Sequence, residues 1–350
     1  MQGGVTMPPT LSFHGPDGLR LGKFGPPRLE RCLAIVGPPE HASRAARCIE
    51  GTANGFRIEL FSDRVGPADK AEQAETDIDR LTTLVSSGQI GRVLLATPVE
   101  EQERIAAVVR RLEGTVADVG LIVLEGVSTD TRLGAAGDVC IAPVLKRPLT
   151  PFQAFVKSII DRVCASLLLV LIAPLLLSIA LLVKVTSPGP ILFRQQRFGL
   201  NNKKFEVLKF RTLHNSRADP NAWRPVERHD KRVTPIGKFL RALSLDELPQ
   251  LVNVLKGDMS LIGPRPLPVD LRVEGRPCSE FPRYPARHRV RPGITGLAQV
   301  KGSRGRMEVT EQLEQRLAYD LDYINNYSLL LDVKIAIATV SVVLGRSNAY

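Results

Sequence analysis

An uncharged run of 21 residues, Val163–Val183 (VCASLLLVLIAPLLLSIALLV), constrains this 350-residue sequence more than any other feature. At ~1.5 Å per residue a straight helix of that length covers about 30 Å, enough to cross the hydrocarbon core of a bilayer. Pro174 stands near its centre, where a missing N–H and a ring clash bend a helix. Lys157 and Arg162 precede the run and Lys184 follows it, so basic flanks give it no preferred direction of insertion. A broken helix that enters and leaves on one face accommodates both features. A plain spanning helix with a tolerated proline is the alternative.

The run also divides the chain electrically. The net charge is +11, yet residues 1–150 carry 17 Lys/Arg against 19 Asp/Glu, while residues 151–350 carry 30 against 17. The basic surplus therefore lies wholly in the second part and suits an anionic partner: nucleic acid, lipid head groups or phosphorylated substrates. Nucleic acid is the weakest of these, because aromatic residues at 5% offer few stacking platforms and the apolar run would have no role. Cys32, Cys48, Cys140, Cys164 and Cys278 are odd in number and never in CxxC spacing, which fits a reducing compartment without a zinc site. The opening residues hold neither a charged start nor an apolar run, so the soluble parts are expected in the cytoplasm.

Residues 1–27, rich in Gly and Pro, read as a flexible tail. Residues 28–150 alternate short β-branched runs (Cys32–Val36, Phe56–Phe61, Arg92–Ala96, Val119–Leu124) with helical patterns, the clearest being Glu100–Leu112. Such alternation predicts a small parallel α/β domain. Gly37 closes the first run, but Pro38 and Pro39 follow and cannot donate the backbone N–H groups that hold a pyrophosphate. A regulatory or structural role is the reading that remains.

Beyond Lys184, Ile191–Arg197 and Lys204–Lys209 read as a hairpin around Gly199-Leu200-Asn201-Asn202. Residues 236–256 read as an interrupted helix, Glu311–Tyr327 as a helix, and Leu329–Leu344 as an interfacial helix. Ser244-Leu245-Asp246-Glu247 has capping-box spacing, so a bare helix start explains it locally. Its setting suggests more. Lys209, Arg211, Arg241, Arg265 and Arg291 lie in short Gly- and Pro-rich segments that could converge on the carboxylates. Adjacent carboxylates among cations suit Mg²⁺-assisted phosphoryl transfer, the acids binding metal or attacking phosphorus while the cations neutralise phosphate oxygens. Pro264 and Pro266 restrict the backbone around Arg265, and Gly293 and Gly296 permit positive φ and close ligand approach.

These stretches bring a family into view. Lys157…Asp161-Arg162, Gly189-Pro190-Ile191-Leu192-Phe193, Gln196-Arg197-Phe198-Gly199-Leu200 and Lys209-Phe210-Arg211-Thr212 come first. Ser244 to Leu251, Asn253 to Ser260, Gly263-Pro264-Arg265-Pro266, Arg291 to Gly296 with Ala298-Gln299-Val300, and Asp320…Tyr323…Ser328…Asp332 complete the series. In this order residues 157–345 closely resemble the bacterial sugar transferases, the monotopic polyprenol-phosphate phosphoglycosyl transferases. Residues 31–147 more loosely resemble the Rossmann-like domain ahead of the catalytic unit in larger members. Ala173 before Pro174, Leu297 and Lys301 depart from the family's usual Ser, aromatic and Asn.

The resemblance implies an α/β chain: a Rossmann-like domain over 28–150, then an α+β transferase domain over 151–350 with a re-entrant helix at 163–183. It implies a catalytic pair, Asp246 and Glu247, that also holds Mg²⁺, and Lys209, Arg211, Arg241, Arg265, Arg291 and Gln299 as substrate-binding residues. The expected reaction passes a sugar-1-phosphate from a UDP-sugar to polyprenyl (undecaprenyl) phosphate and releases UMP, as the first membrane step of a surface polysaccharide. Both domains would face the cytoplasm at the inner membrane, and a homo-oligomer is compatible with these features. A catalytically silent membrane scaffold of a polysaccharide-synthesis complex is the alternative.

Overall fold

The computed structural model describes residues 32–50, 57–62, 68–87, 89–98, 100–123, 140–214, 230–305 and 307–344; the expected tail at 1–27 lies outside them. Strands β1 (Cys32–Val36), β2 (Arg57–Phe61), β3 (Ile90–Leu95) and β4 (Asp118–Val123) are parallel in the order β2-β1-β3-β4, and β5 (Cys140–Leu145) closes the edge antiparallel to β4. β5 is the strand the sequence pattern does not reveal. It contains Pro143, which cannot donate to a ladder, and an edge is where a sheet tolerates that.

Helix α1 (Pro39–Glu50) covers one face of the sheet, packing Ala42, Ala45 and Ile49 against Leu33, Ile35 and Leu94. Helices α2 (Ala68–Ser86) and α3 (Gln102–Leu112) cover the other, bringing Leu81, Val85, Val108 and Leu112 onto Ala34, Val36 and Val93. The alternation of side chains along β1 thus feeds two separate cores, the physical basis of the three layers.

Helix α4 runs from Pro151 to Thr186 with Pro174 inside it, longer than the expected 163–183. Thr150 caps its start: its hydroxyl accepts from the Gln153 N–H at 3.2 Å while the Gln153 side chain takes the Thr150 N–H at 2.9 Å. One stripe faces protein throughout. Lys157, Asp161 and Ala165 are buried, Leu169, Ile172 and Leu176 are partly buried, and Ile179 and Val183 are buried again. These spacings of three and four place them on a single helical face. Ala165 meets Val207, Leu251, Val254 and Met259, while Ile179 and Val183 meet Phe210 and Leu240. The opposite face exposes Leu167, Val170, Leu171, Leu177 and Leu181, making this one helix long and apolar enough to cross a membrane.

After α4 come the hairpin β6 (Leu192–Phe198) and β7 (Lys204–Phe210), paired Leu192 to Phe210 through Phe198 to Lys204. Its turn uses Asn201 and Asn202, both at φ 56°, a left-handed conformation that asparagine tolerates. Helix α5 (Pro235–Ala242), a 3₁₀ turn (Leu245–Glu247) and α6 (Gln250–Lys256) follow, the interruption expected within 236–256. β8 (Ser260–Ile262), the small hairpin β9 (Arg272–Val273) and β10 (Arg276–Pro277), and β11 (Gly293–Thr295), parallel to β8, lead to the short α7 (Leu297–Val300). α8 (Thr310–Asn325) and α9 (Leu329–Leu344) end the described fold. α9 exposes Leu330, Val333, Ile337 and Val340 while burying Ile335 and Asp332.

The sheet unit meets the later part of the chain through polar contacts. Asn201 Oδ1 accepts from the Val116 N–H at 2.9 Å, and its Nδ2 donates to the Ser86 carbonyl at 3.2 Å. Arg289, buried, donates to the carbonyls of Thr115, at 3.0 Å, and Lys146.

Candidate active site

Asp246 and Glu247 lie on the 3₁₀ turn between α5 and α6, where Ser244 takes φ 56°, ψ 21°. A β-carbon in that region costs energy, and such backbone gathers at functional sites. The local alternative, a capping box, is not what forms. The Ser244 side chain makes no capping bond, and Glu247 turns to the cations.

Glu247 is the hub. Lys209 on β7 donates to its Oε1 at 2.7 Å, and Arg265 donates to both oxygens, at 2.7 Å to Oε2. Burial pushes the Glu247 carboxyl up, but the charges and hydrogen bonds of Arg265 and Lys209 outweigh it and hold the group well below the usual range. Glu247 in turn raises Arg265, whereas burial lowers Lys209. The two prolines flanking Arg265 deliver its guanidinium as a fork onto one carboxylate, the geometry that suits arginine.

Asp246 differs. It is 9% exposed, and among the described residues its carboxylate makes no hydrogen bond and no ion pair. Burial, with Glu247 beside it, raises its pKa against the pull of Lys209, Arg241 and Arg265. One acid is thus fully engaged by cations and its neighbour is left with free oxygen lone pairs. Environments that push two adjacent titratable groups apart mark division of labour.

Of the expected substrate residues, Lys209, Arg241 and Arg265 gather here. Arg211 does not: it donates to the carbonyls of Pro188, Val183 and Ser187 and to the Ser187 hydroxyl, closing the end of α4. Arg291 has Arg162 and Asp161 as its charged neighbours and lines a cavity of about 240 Å³ between the sheet unit and the start of α4. Gln299 donates to the Ile294 carbonyl at 3.2 Å and keeps a buried, unpaired Oε1. Gly293 and Gly296 are not in positive φ. A β-carbon at either would stand 2.1 Å from the backbone of Gly263, so close approach of β8 and β11 is what requires glycine.

The sequence assigns no role to several residues that brace the site. Arg287, on the 3₁₀ segment Pro285–Arg289, is fully buried, pairs with Asp320 at 2.7 Å and donates to the Arg265 carbonyl at 2.6 Å. Arg197 donates to the Pro266 carbonyl at 2.8 Å and is lowered to about 9 by burial and by Arg265. Together they fix the Arg265 segment from both sides. Asp320 stands among the matching stretches without a role, and nothing in the sequence pairs it with Arg287. Behind β8, Lys157 bonds Asp332 at 2.6 Å, Tyr323 donates to Asp332 at 2.8 Å, and Ser260 donates to Asp161 at 2.7 Å, tying α4 to α8 and α9.

Adjacent carboxylates offer hard oxygen donors of the kind Mg²⁺ takes, one or two at a time beside substrate phosphates. Among the described residues no group of three or more His, Cys, Asp or Glu side chains converges. Asp246, with free lone pairs, therefore fits an ion shared with a phosphorylated ligand, whereas Glu247 fits one less well because its oxygens already accept from Lys209 and Arg265.

The bacterial sugar transferase family profile matches residues 152–346. An undecaprenyl-phosphate glucose phosphotransferase of Komagataeibacter xylinus is 38% identical over 331 residues, covering 92% of this chain and 61% of its own length. A UDP-glucose:undecaprenyl-phosphate glucose-1-phosphate transferase of Caulobacter vibrioides is 50% identical over 194 residues, 55% of this chain and 72% of its own length. The exopolysaccharide production protein PSS of Rhizobium leguminosarum bv. phaseoli is 43% identical over 183 residues, 52% of this chain and 92% of its own length. The chain thus spans less than two thirds of the first of these relatives.

Proposed function

The chain belongs to the bacterial sugar transferase family, and from that membership we propose that it moves a sugar-1-phosphate from a UDP-sugar onto undecaprenyl phosphate, releasing UMP, to begin an exopolysaccharide. Glucose is the sugar in two of the relatives' names, so UDP-glucose is the donor to test first. One observation carries the reading: two adjacent carboxylates among cations, Glu247 saturated by Lys209 and Arg265 and Asp246 left unpaired.

In the reaction an oxygen of Asp246 attacks the β-phosphorus of the donor. The bond to the bridging oxygen breaks, UMP leaves with that oxygen, and the sugar-phosphate stays on the carboxylate as an acyl phosphate. An oxygen of undecaprenyl phosphate then attacks the same phosphorus, freeing Asp246 and completing a ping-pong cycle. Lys209, Arg241 and Arg265 neutralise the phosphate oxygens that the carboxylate must approach. Mg²⁺ held through Asp246, the acid whose lone pairs are free, would supply further charge neutralisation on those oxygens.

Helix α4 supports placement at the membrane. Its protein-facing stripe packs along one globular unit on both sides of Pro174, while its other face is bare leucine and valine. We read it as a re-entrant anchor with both ends on the cytoplasmic face of the inner membrane, α9 lying at the interface. The sheet unit is then a Rossmann-like regulatory or structural domain.

Incubation with UDP-glucose and no acceptor tests the chemistry. UMP should appear in an amount stoichiometric with enzyme, and the peptide containing Asp246 should gain a hexose-phosphate mass. UMP only in the presence of undecaprenyl phosphate, with no adduct, would replace the covalent route by direct transfer. A silent scaffold would release no UMP under either condition.

A further inference from the structure

Arg316 on α8 is a buried guanidinium without an acid to itself. It is 4% exposed, and the nearby Asp320 is engaged by Arg287 through Nε at 3.1 Å and Nη2 at 2.7 Å. Burial and Arg287 lower Arg316 to about 10. Its hydrogen bonds go instead to one short turn: Nε to the Ser303 hydroxyl at 3.3 Å, and Nη2 to the carbonyls of Ser303, at 2.7 Å, and Gly305, at 2.9 Å. The turn is tight, with Gly302 at φ 90°, the Arg304 N–H on the Gly302 carbonyl at 2.9 Å and the Ser303 N–H on the Ala298 carbonyl at 2.8 Å. A buried charge is being used to hold a loop still.

The side chain which that loop presents is Arg304. It is half-buried, and its Nε is enclosed with no partner. Its turn hangs from Arg316, one turn along α8 from Asp320, and Asp320 pairs with the Arg287 that donates to the Arg265 carbonyl, so the charges of Arg265, which repels Arg304, and Glu247, which attracts it, reach this side chain. Glu247, however, already accepts from Lys209 and Arg265 on both oxygens, and Arg304 forms no ion pair with it. Further unpaired guanidinium nitrogens lie buried in the same neighbourhood, Nε of Arg197 and Nη1 of Arg287. A cation held rigidly beside other cations and a spent acid is arranged for an anion that has yet to arrive.

We propose that Arg304 binds the anionic oxygens of the donor's diphosphate, with Arg316 as the positioning residue that fixes its turn. The assignment rests on the transferase reading above. It adds a third arginine, after Arg241 and Arg265, to the cations that meet the donor's phosphates.

The test uses the full chain in nanodiscs, with calorimetric binding of UDP and steady-state UMP release from UDP-glucose and undecaprenyl phosphate. Arg304→Ala should weaken UDP binding and raise KM for UDP-glucose about tenfold or more, with KM for undecaprenyl phosphate and the melting temperature unchanged. Arg304→Lys should recover part of the loss, and Arg316→Lys, which cannot span the three acceptors, should raise the donor KM like Arg304→Ala. Donor binding and KM within about twofold of wild type in Arg304→Ala would overturn the assignment, as would a rise confined to the acceptor KM. Failure of the wild type itself to bind UDP or release UMP would instead remove the transferase reading, and this assignment with it.

Discussion

Asp246 and Glu247 are neighbours in sequence with opposite electrostatic fates, and that contrast yields the sharpest tests. Asp246→Asn keeps the shape and removes the attacking charge; since each ~1.4 kcal/mol of lost transition-state stabilisation costs about tenfold, UMP release should fall by several orders of magnitude. A fall of only a few-fold would take the nucleophile role from Asp246. The same group sets a pH dependence. Its pKa is raised, by burial first and Glu247 second, so at a given acid pH more of it is protonated and unable to attack than an ordinary aspartate would be. The acid limb of kcat should therefore lie above the usual aspartate range, and a limb at or below that range would contradict the assignment. Arg287 and Asp320 answer to stability instead. The pair is 1% and 2% exposed, so Arg287→Ala strips a buried carboxylate of its hydrogen-bonded partner and should cost about 3–5 kcal/mol in chemical denaturation. A loss below about 1 kcal/mol would mean that water reaches Asp320. The acid pair was legible because its spacing and cationic setting are written locally. Arg287 and Asp320 were not paired in advance, because a partnership across 33 positions has no local signature.

Elements were legible where a period or a turn residue marks them. The asparagine turn of the β6–β7 hairpin, the break between α5 and α6, and α8 and α9 all follow from such signals. β5 escaped because Pro143 argues against a strand unless the strand is known to be an edge. Gly293 and Gly296 invited a reading from backbone freedom, yet the need arises from the backbone of Gly263, distant in sequence. Helix α4 is the element with most at stake. Its length alone is compatible with spanning, but a spanning helix would send one end away from the domain. Here Ala165 shares a core with Leu251 and Val254 of α6, and Val183 shares one with Leu240 of α5. Cysteine reporters at Leu60 and Thr310, in a chain freed of its own cysteines, should thus both resist a membrane-impermeant label added outside intact cells, and both should react after lysis. Labelling of either one from outside would establish a spanning helix and end the re-entrant reading.

At the scale of the whole molecule, the charge split of the sequence anticipates where chemistry lies but not how the two parts are joined. Lys209, Asp246, Glu247 and Arg265 all follow α4, and the relative from Rhizobium leguminosarum is matched over 92% of its length by about half of this chain. Among the described residues, the sheet unit contributes no group to the acids. What it contributes is support: Asn201 bridges Val116 and Ser86, and buried Arg289 takes the carbonyls of Thr115 and Lys146. Two residues before Arg289, Arg287 holds the Arg265 carbonyl. Removing the sheet unit therefore strips partners from a segment that braces the site without touching the site itself. Arg289 would turn to water, which compensates most of a lost charged hydrogen bond, so the net loss should be about 1.5–3 kcal/mol and not the cost of a buried orphan. A chain beginning at Leu149, in nanodiscs, should release UMP from UDP-glucose with kcat within about tenfold of the full chain, while melting at a lower temperature. An inactive but well-folded truncation would place part of the catalytic machinery in residues 1–148. Equal melting temperatures for the two chains would show instead that the contacts of Asn201 and Arg289 carry no weight, and that the sheet unit rides on the transferase without bracing it.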